Sequence, residues 1–305
     1  MQFIVGYLKI LALIETMIVI AVKGNNCEYP ECPVSGTHTM CKYPAKLDTS
    51  APKCSGKGAT AGLTAEDKRV ILDKHNELRR KIANGEQKGF SKAANMMQLA
   101  WNPELEMIAQ RFINSCGVDG DHDKCRNLKD NTPVGQNSAN SVMTEGDTKA
   151  TVLEKMVESW YDPLEKLTDN TVVDEYTRPE DVSIKDFTQL IWAESNRLGC
   201  GYRVESKVGN SQAVAVACNY ATEGNVKGDP VYVKGEPCSK CPKGSKCSKT
   251  YPGLCAKEVK ESINKEPNKK EEKKKDEIKQ PSDCDVTFAN IILTVCCITI
   301  ILRVT

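Results

Sequence analysis

The sequence predicts an α+β domain in which helices cover an antiparallel sheet and disulfide bonds staple the whole. Three observations carry that expectation. Apolar residues recur at helical spacing through the first part of the chain, and the period changes to alternation near residue 200. Twelve of the fifteen cysteines fall between Cys27 and Cys255. Helices followed by antiparallel strands point to helices packed on a sheet. Zinc clusters need paired Cys-x-x-Cys units or histidine companions. Here only Cys238 and Cys241 have that gap and the chain has three histidines, so the cysteines read as disulfides. Disulfides belong to an oxidising compartment.

The elements follow in chain order. Residues 1–22 are almost continuously apolar, broken by Lys9 and Glu15, and Val22-Lys23-Gly24 offers small side chains to a signal peptidase. A signal peptide over 1–24 is expected, with Asn25 at the mature terminus. Residues 25–60 form a Cys-rich, loop-like extension with Cys27, Cys32, Cys41 and Cys54. Thr64 and Asp67 then resemble a capping box. Ile71, His75, Leu78 and Ile82 make one apolar stripe, ended by Asn84-Gly85. On that stripe His75 reads as a satisfied core histidine, and His38 as a local hydrogen-bonding residue of the extension.

Asn102 caps a second helix with Pro103 in its first turn, where the missing N–H costs nothing. Its stripe is Leu105, Ile108, Ala109, Phe112 and Cys116. A third helix around 148–161 buries Leu153, Met156, Val157 and Trp160, with Pro163 closing it. Gly199–Ser206 and Ala213–Tyr220 flank a turn at Val208-Gly209-Asn210, the pattern of a hairpin, with Cys200 and Cys218 on opposite strands.

Beyond residue 257 the character changes. The run Lys265 to Lys279 is nearly all charged with mixed signs, so 258–283 reads as a solvated stalk. Val286 to Leu302 is apolar again, within a segment 284–305. Two readings stand: a type I membrane anchor with Arg303 on the cytoplasmic side, or a GPI signal with Ser282-Asp283-Cys284 as its small-residue site. The GPI reading is preferred, because only Arg303-Val304-Thr305 follows the apolar run. Overall, 42 basic residues face 41 acidic ones. That balance gives no general reason to expect nucleic acid or an acidic polymer as partner.

Three segments carry a family pattern. His75-Asn76-Glu77-Leu78-Arg79 lies on the first predicted helix. Lys185-Asp186-Phe187-Thr188-Gln189-Leu190-Ile191-Trp192 is similar to a signature that usually reads Gly-His-(Phe/Tyr)-Thr-Gln, two aliphatics and Trp. Ala217-Cys218-Asn219-Tyr220, with Gly224-Asn225 after it, is similar to a second. In this order they resemble the CAP superfamily, which groups cysteine-rich secretory proteins, antigen five and the PR-1 proteins. Asn25-Asn26-Cys27, Gly36–Tyr43, Gly235-Glu236-Pro237-Cys238 and Tyr251–Cys255 resemble the insect venom allergen 5 group within it.

The resemblance implies an α-β-α sandwich over 61–232 with Cys-rich extensions at 25–60 and 233–257. By position it implies bridges Cys27–Cys41, Cys32–Cys125, Cys54–Cys116 and Cys200–Cys218. Cys238, Cys241, Cys247 and Cys255 would pair among themselves, in an order that sequence leaves open.

Many such domains line a cleft with two histidines and two acids that can hold a divalent metal. Carried over residue by residue, those positions are His122, Gln136, Pro163 and Asp186, so one of four is kept. Asp162, Glu165 and Asp186 could add oxygen ligands, but no nucleophile–base pair is evident. The expectation is therefore a binding protein that is not an enzyme and needs no cofactor. Its ligand would be a lipid, another small hydrophobic molecule or a protein partner. It would be extracellular and tethered to a cell surface, and otherwise secreted. The alternative is a weak metal-dependent hydrolase using the degenerate cleft at His122.

Overall fold

The computed structural model describes residues 27–30, 32–33, 36–43, 45, 62–116, 122–162, 167, 171–177 and 182–257. The expected signal peptide, stalk and anchor lie outside these residues, as do Cys54, Pro163 and Glu165. A short helix α1 (Thr39–Lys42) belongs to the N-terminal extension. Helix α2 (Ala65–Ala83) starts at a true capping box. The Asp67 amide donates to Thr64 Oγ1 at 3.1 Å and the Thr64 amide donates back to Asp67 Oδ2 at 2.8 Å, so two otherwise orphaned donors are satisfied. The helix buries Ile71, His75, Asn76, Arg79 and Ile82.

Strand β1 (Ala100–Trp101) leads into helix α3 (Pro103–Asn114), whose first turn is capped by Asn102 Oδ1 on the Leu105 amide at 2.9 Å. Cys116 is not the last residue of the α3 stripe. The helix stops at Asn114, and Cys116 lies beyond it with φ of 58°. Strand β2 (Gly135–Met143) follows, then α4 (Lys149–Ser159) and the single turn α5 (Thr171–Asp174). Helix α4 ends ahead of Pro163: the Trp160 amide already donates to Val157 and Glu158 carbonyls, which tightens and closes the last turn. Helix α6 (Val182–Leu190) precedes strands β3 (Arg197–Val208) and β4 (Ser211–Ala221). Val208 pairs with Ser211, so the hairpin turn has only Gly209 and Asn210, with Gly209 at φ 58°.

The sheet order is β1-β3-β4-β2, antiparallel apart from the β1–β3 pair. Strand β4 alternates strictly. Val214, Val216, Cys218 and Tyr220 join the large core beneath α2, α4 and α6, while Ala215 and Ala217 pack on Phe112 and Ile113 of α3. The α3 face is made of small residues for a reason visible on β3. A Cβ on Gly199 would lie 2.2 Å from the Glu106 amide nitrogen, and one on Gly201 2.6 Å from Gln110 Cα. Helix α3 thus rests on the strand backbone itself, and the result is helix, sheet and helix layers.

Disulfides join Cys27–Cys41, Cys32–Cys125 and Cys200–Cys218, the last between directly opposed residues with Cα atoms 4.1 Å apart. Cys116 is also disulfide-bonded. The tail pairs as Cys238–Cys247 and Cys241–Cys255 and forms a ribbon of β5 (Ser245–Cys247) and β6 (Cys255–Lys257). It is pinned to the body. The Cys255 amide donates to Met96 O at 2.7 Å, the Gln98 amide to Cys255 O at 2.8 Å, and Tyr251 Oη to Asp73. Among the described residues no helix is long and apolar enough to cross a membrane.

Candidate functional site

Gln136, one of the cleft positions read from the sequence, lies on β2 directly opposite Asn219 of β4. A line of amides crosses this point. Asn219 Nδ2 donates to Leu105 O at 3.3 Å, leaving its Oδ1 to accept from Gln136 Nε2 at 2.9 Å. Gln136 Oε1 must then accept, and it takes a hydrogen bond from His122 Nδ1 at 2.8 Å. The backbone carbonyl of Leu105 therefore sets the order of donors and acceptors along the line, which ends in a proton on His122 Nδ1. His122 is exposed; Gln136 and Asn219 are buried.

Asp186 meets the next residue of β2, on the opposite face of the sheet, through its backbone, whose carbonyl accepts from Asn137 Nδ2 at 2.9 Å. Burial pushes its carboxyl up to about 7, against the pull of the neighbouring Lys185 charge. Asn137 is buried and its Oδ1 has no hydrogen-bond partner.

These residues do not fit a resident divalent metal. The Gln136 carbonyl is already spent on His122, a neutral amide stands where the pattern has an acid, and a carboxyl, Asp186, stands where it has the second histidine. Among the described residues the single group of three acidic, histidine or cysteine ligands close enough to share an ion is Cys238, Cys241 and Cys255, and all three are in disulfides. The position matching Pro163 lies outside the described residues. Asp162 is described, but nothing in the structure brings it to His122.

The other signature residues are ties between elements. His75 is fully buried, its Nδ1 donating to Ile71 O at 2.7 Å and its Nε2 accepting from Tyr220 Oη at 2.9 Å. Desolvation lowers its pKa to about 4, so it stays neutral. Asn76 pairs both ends of its amide with the Leu99 backbone. Phe187 packs edge-on against Phe90 and Tyr161. Thr188 Oγ1 donates to Asn225 Oδ1 at 2.6 Å, and Gln189 Oε1 accepts from the Gly224 amide at 3.0 Å. Trp192 is buried against Tyr176. These residues wire α6 to the loop after β4 and α2 to the segment before β1.

A second concavity went unread in the sequence. A trough of about 450 Å³ runs along α3, lined by the apolar Ala45, Pro103 and Met107 and by the polar Glu106, Gln110 and Arg111. The N-terminal extension forms its far side. Arg111 Nη1 donates to Met40 O and Tyr43 O, and Asn114 Nδ2 to Ala45 O. Met107 is 43% exposed there, an apolar side chain that the helical stripe leaves outside. Its exposure is the one signal the helical wheel held.

Residues 72–220 match the model of the cysteine-rich secretory protein (CAP) family. Venom allergen 3 of Solenopsis invicta is 34% identical over 240 residues, covering 76% of this chain and 98% of that protein. A protein named CRISP/Allergen/PR-1 from Trittame loki is 35% identical over 243 residues, covering 76% of this chain. The chain spans about half the length of that relative and of a Tityus serrulatus cysteine-rich venom protein, 56% and 54%. Among solved structures, BmVAL-1 is 25% identical with a TM-score of 0.52, covering 68% of this chain and 99% of that one.

Proposed function

The chain belongs to the cysteine-rich secretory protein (CAP) family, as a venom-allergen-like protein of the extracellular, disulfide-bonded type, and from that premise we propose that it is a non-catalytic carrier of a small amphipathic lipid. The observation that carries this reading is the trough beside α3, where an exposed Met107 and the apolar faces of Ala45 and Pro103 lead to Arg111. An acyl chain would lie on the apolar wall, with its carboxylate or phosphate toward the guanidinium. The cleft at His122 supports the non-catalytic half. The imidazole Nδ1 is bonded to a neutral amide, Gln136, at the position where the family pattern has an acid.

The reading includes a tether: the stalk and apolar end of the chain hold the domain at a cell surface, where the lipid is exchanged. The experiment is native mass spectrometry of the full chain from a secretory host, followed by organic extraction. A lipid adduct that is lost on extraction, and lost in Met107→Lys, is expected, with His122→Ala retaining it. A bare mass, or an adduct indifferent to Met107→Lys, would sink the carrier reading. Release of the intact domain from cells by a phosphatidylinositol-specific phospholipase tests the tether.

A further inference from the structure

The near balance of charge over the whole chain conceals a local imbalance. From Cys238 to Lys257 there are five lysines and no acidic residue. Two disulfides and the backbone bonds to Met96 and Gln98 fix this segment against the body, so its charges are presented by a rigid frame. Between the β5–β6 ribbon and the edge strand β1 lies a cleft of about 760 Å³. Lys246, Lys249 and Lys257 line it together with Gln98, Asn196 and Thr250, and no acidic side chain does. Among the described residues no ion pair engages Lys249 or Lys257. The wall of the cleft also holds a buried acceptor, Gln98 Oε1, that has no hydrogen-bond partner.

We propose that this cleft binds a sulfated polysaccharide. Sulfate groups match the lysine ammonium ions, and a sugar hydroxyl supplies the donor that Gln98 Oε1 lacks. A membrane surface is the poorer match. The charges line a concavity rather than a flat face, and the apolar groups in the lining are small ones, Ala100 and Ala256, with nothing to insert among acyl chains. The site is separate from the trough on α3 and from the His122 cleft, and it stands or falls without them.

The test uses the full chain on immobilised heparin, with chemically desulfated heparin and vesicles of equal parts phosphatidylserine and phosphatidylcholine as alternatives. Salt-sensitive binding to heparin and none to the desulfated polymer are expected. The triple change Lys246→Ala, Lys249→Ala, Lys257→Ala should weaken binding about tenfold, the scale of a few exposed ion pairs. The control triple Lys88→Ala, Lys124→Ala, Lys227→Ala, all exposed lysines elsewhere, should leave binding unchanged. Gln98→Leu should weaken heparin binding without altering its salt dependence. All the substituted lysines are exposed, so unchanged melting temperatures are expected in both triples. Failure to bind heparin would overturn the proposal. So would equal losses from the two triples, or vesicle binding as strong as heparin binding.

Discussion

The imidazole of His75 and the hydroxyl of Tyr220 meet inside the core, 2.9 Å apart, with the tyrosine donating. This one bond joins α2 to β4 across the main apolar cluster. It also fixes the chemistry of both groups. Nδ1 is committed to Ile71 O, so Nε2 must accept, and burial holds the imidazole neutral while raising the phenol well above 10. The histidine of the first family segment is a structural tie, as its place on the apolar stripe predicts.

Stability should respond to acid through two buried groups with opposite signs. His75 falls from 6.5 to about 4 on folding, so its contribution is full above 6.5 and lost as pH falls toward about 4. Asp186 rises from 3.8 to about 7, so its contribution is full below 3.8 and lost as pH rises toward about 7. The two slopes oppose each other over the shared window. Asp186→Asn should therefore raise the urea midpoint at pH 8 and expose a loss of stability on acidification that wild type partly masks. A flat or falling midpoint at pH 8 would contradict the assignment.

Arg79 is fully buried, yet it pairs with no carboxylate. Its guanidinium donates to the carbonyls of Met97, Leu190, Trp192, Ala193 and Ser195, at 2.7 to 3.3 Å. Burial lowers its pKa to about 9, which leaves it cationic at neutral pH. Arg79→Met would strand several buried carbonyls, at a cost of about 3 kcal/mol or more. Thermal melting gives the size, and faster hydrogen exchange over 190–196 should show that the loop between α6 and β3 is what loosens.

Gly201 and Gly209 separate close approach from backbone freedom. Gly201→Ala drives a methyl group into the α3 backbone and should cost about 1–3 kcal/mol, as overpacking does. Gly209→Ala meets nothing within 4 Å and pays only for its φ of 58°, about 1 kcal/mol. Chemical denaturation of the two variants should rank them in that order.

Position 136 has to supply a donor to its neighbour Asn219. Asn219 Oδ1 needs a donor, because Asn219 Nδ2 is already given to Leu105 O. Gln136→Glu sets two acceptors face to face and should destabilise by about 1–3 kcal/mol at neutral pH. The deficit should shrink at pH 5, where a protonated glutamate can donate again. An undiminished deficit at pH 5 would argue against this account of the amide line.

What could be read from the sequence were features with a local cause. Thr64 with Asp67, Asn102 with Pro103 and the alternation ahead of Tyr220 each announce an element through the residues that cap or face it. The β-branched and aromatic residues of the hairpin did the same. Strand β2 gave no such signal. Gly135–Met143 reads Gly-Gln-Asn-Ser-Ala-Asn-Ser-Val-Met, and it becomes a strand by filling the open edge of β4. The order of the tail bridges was likewise undetermined, because cysteine spacing permits several pairings until a ribbon chooses one.

The sites divide along the same line. Motif position located His122, Gln136 and Asp186, and composition marked the chain as disulfide-stapled. Only the folded chain shows that Gln136 is answerable to Asn219, that Asp186 is desolvated, and that Arg79 serves carbonyls rather than an acid. It also places Met107 in a trough and three tail lysines around one cleft, although the net charge of the whole chain is close to zero. Propensity and pattern are properties of neighbours along the chain, and the sequence by itself determined those. Hydrogen-bond direction, desolvation and the gathering of like charges depend on groups brought together from distant positions, and only the tertiary structure decided them.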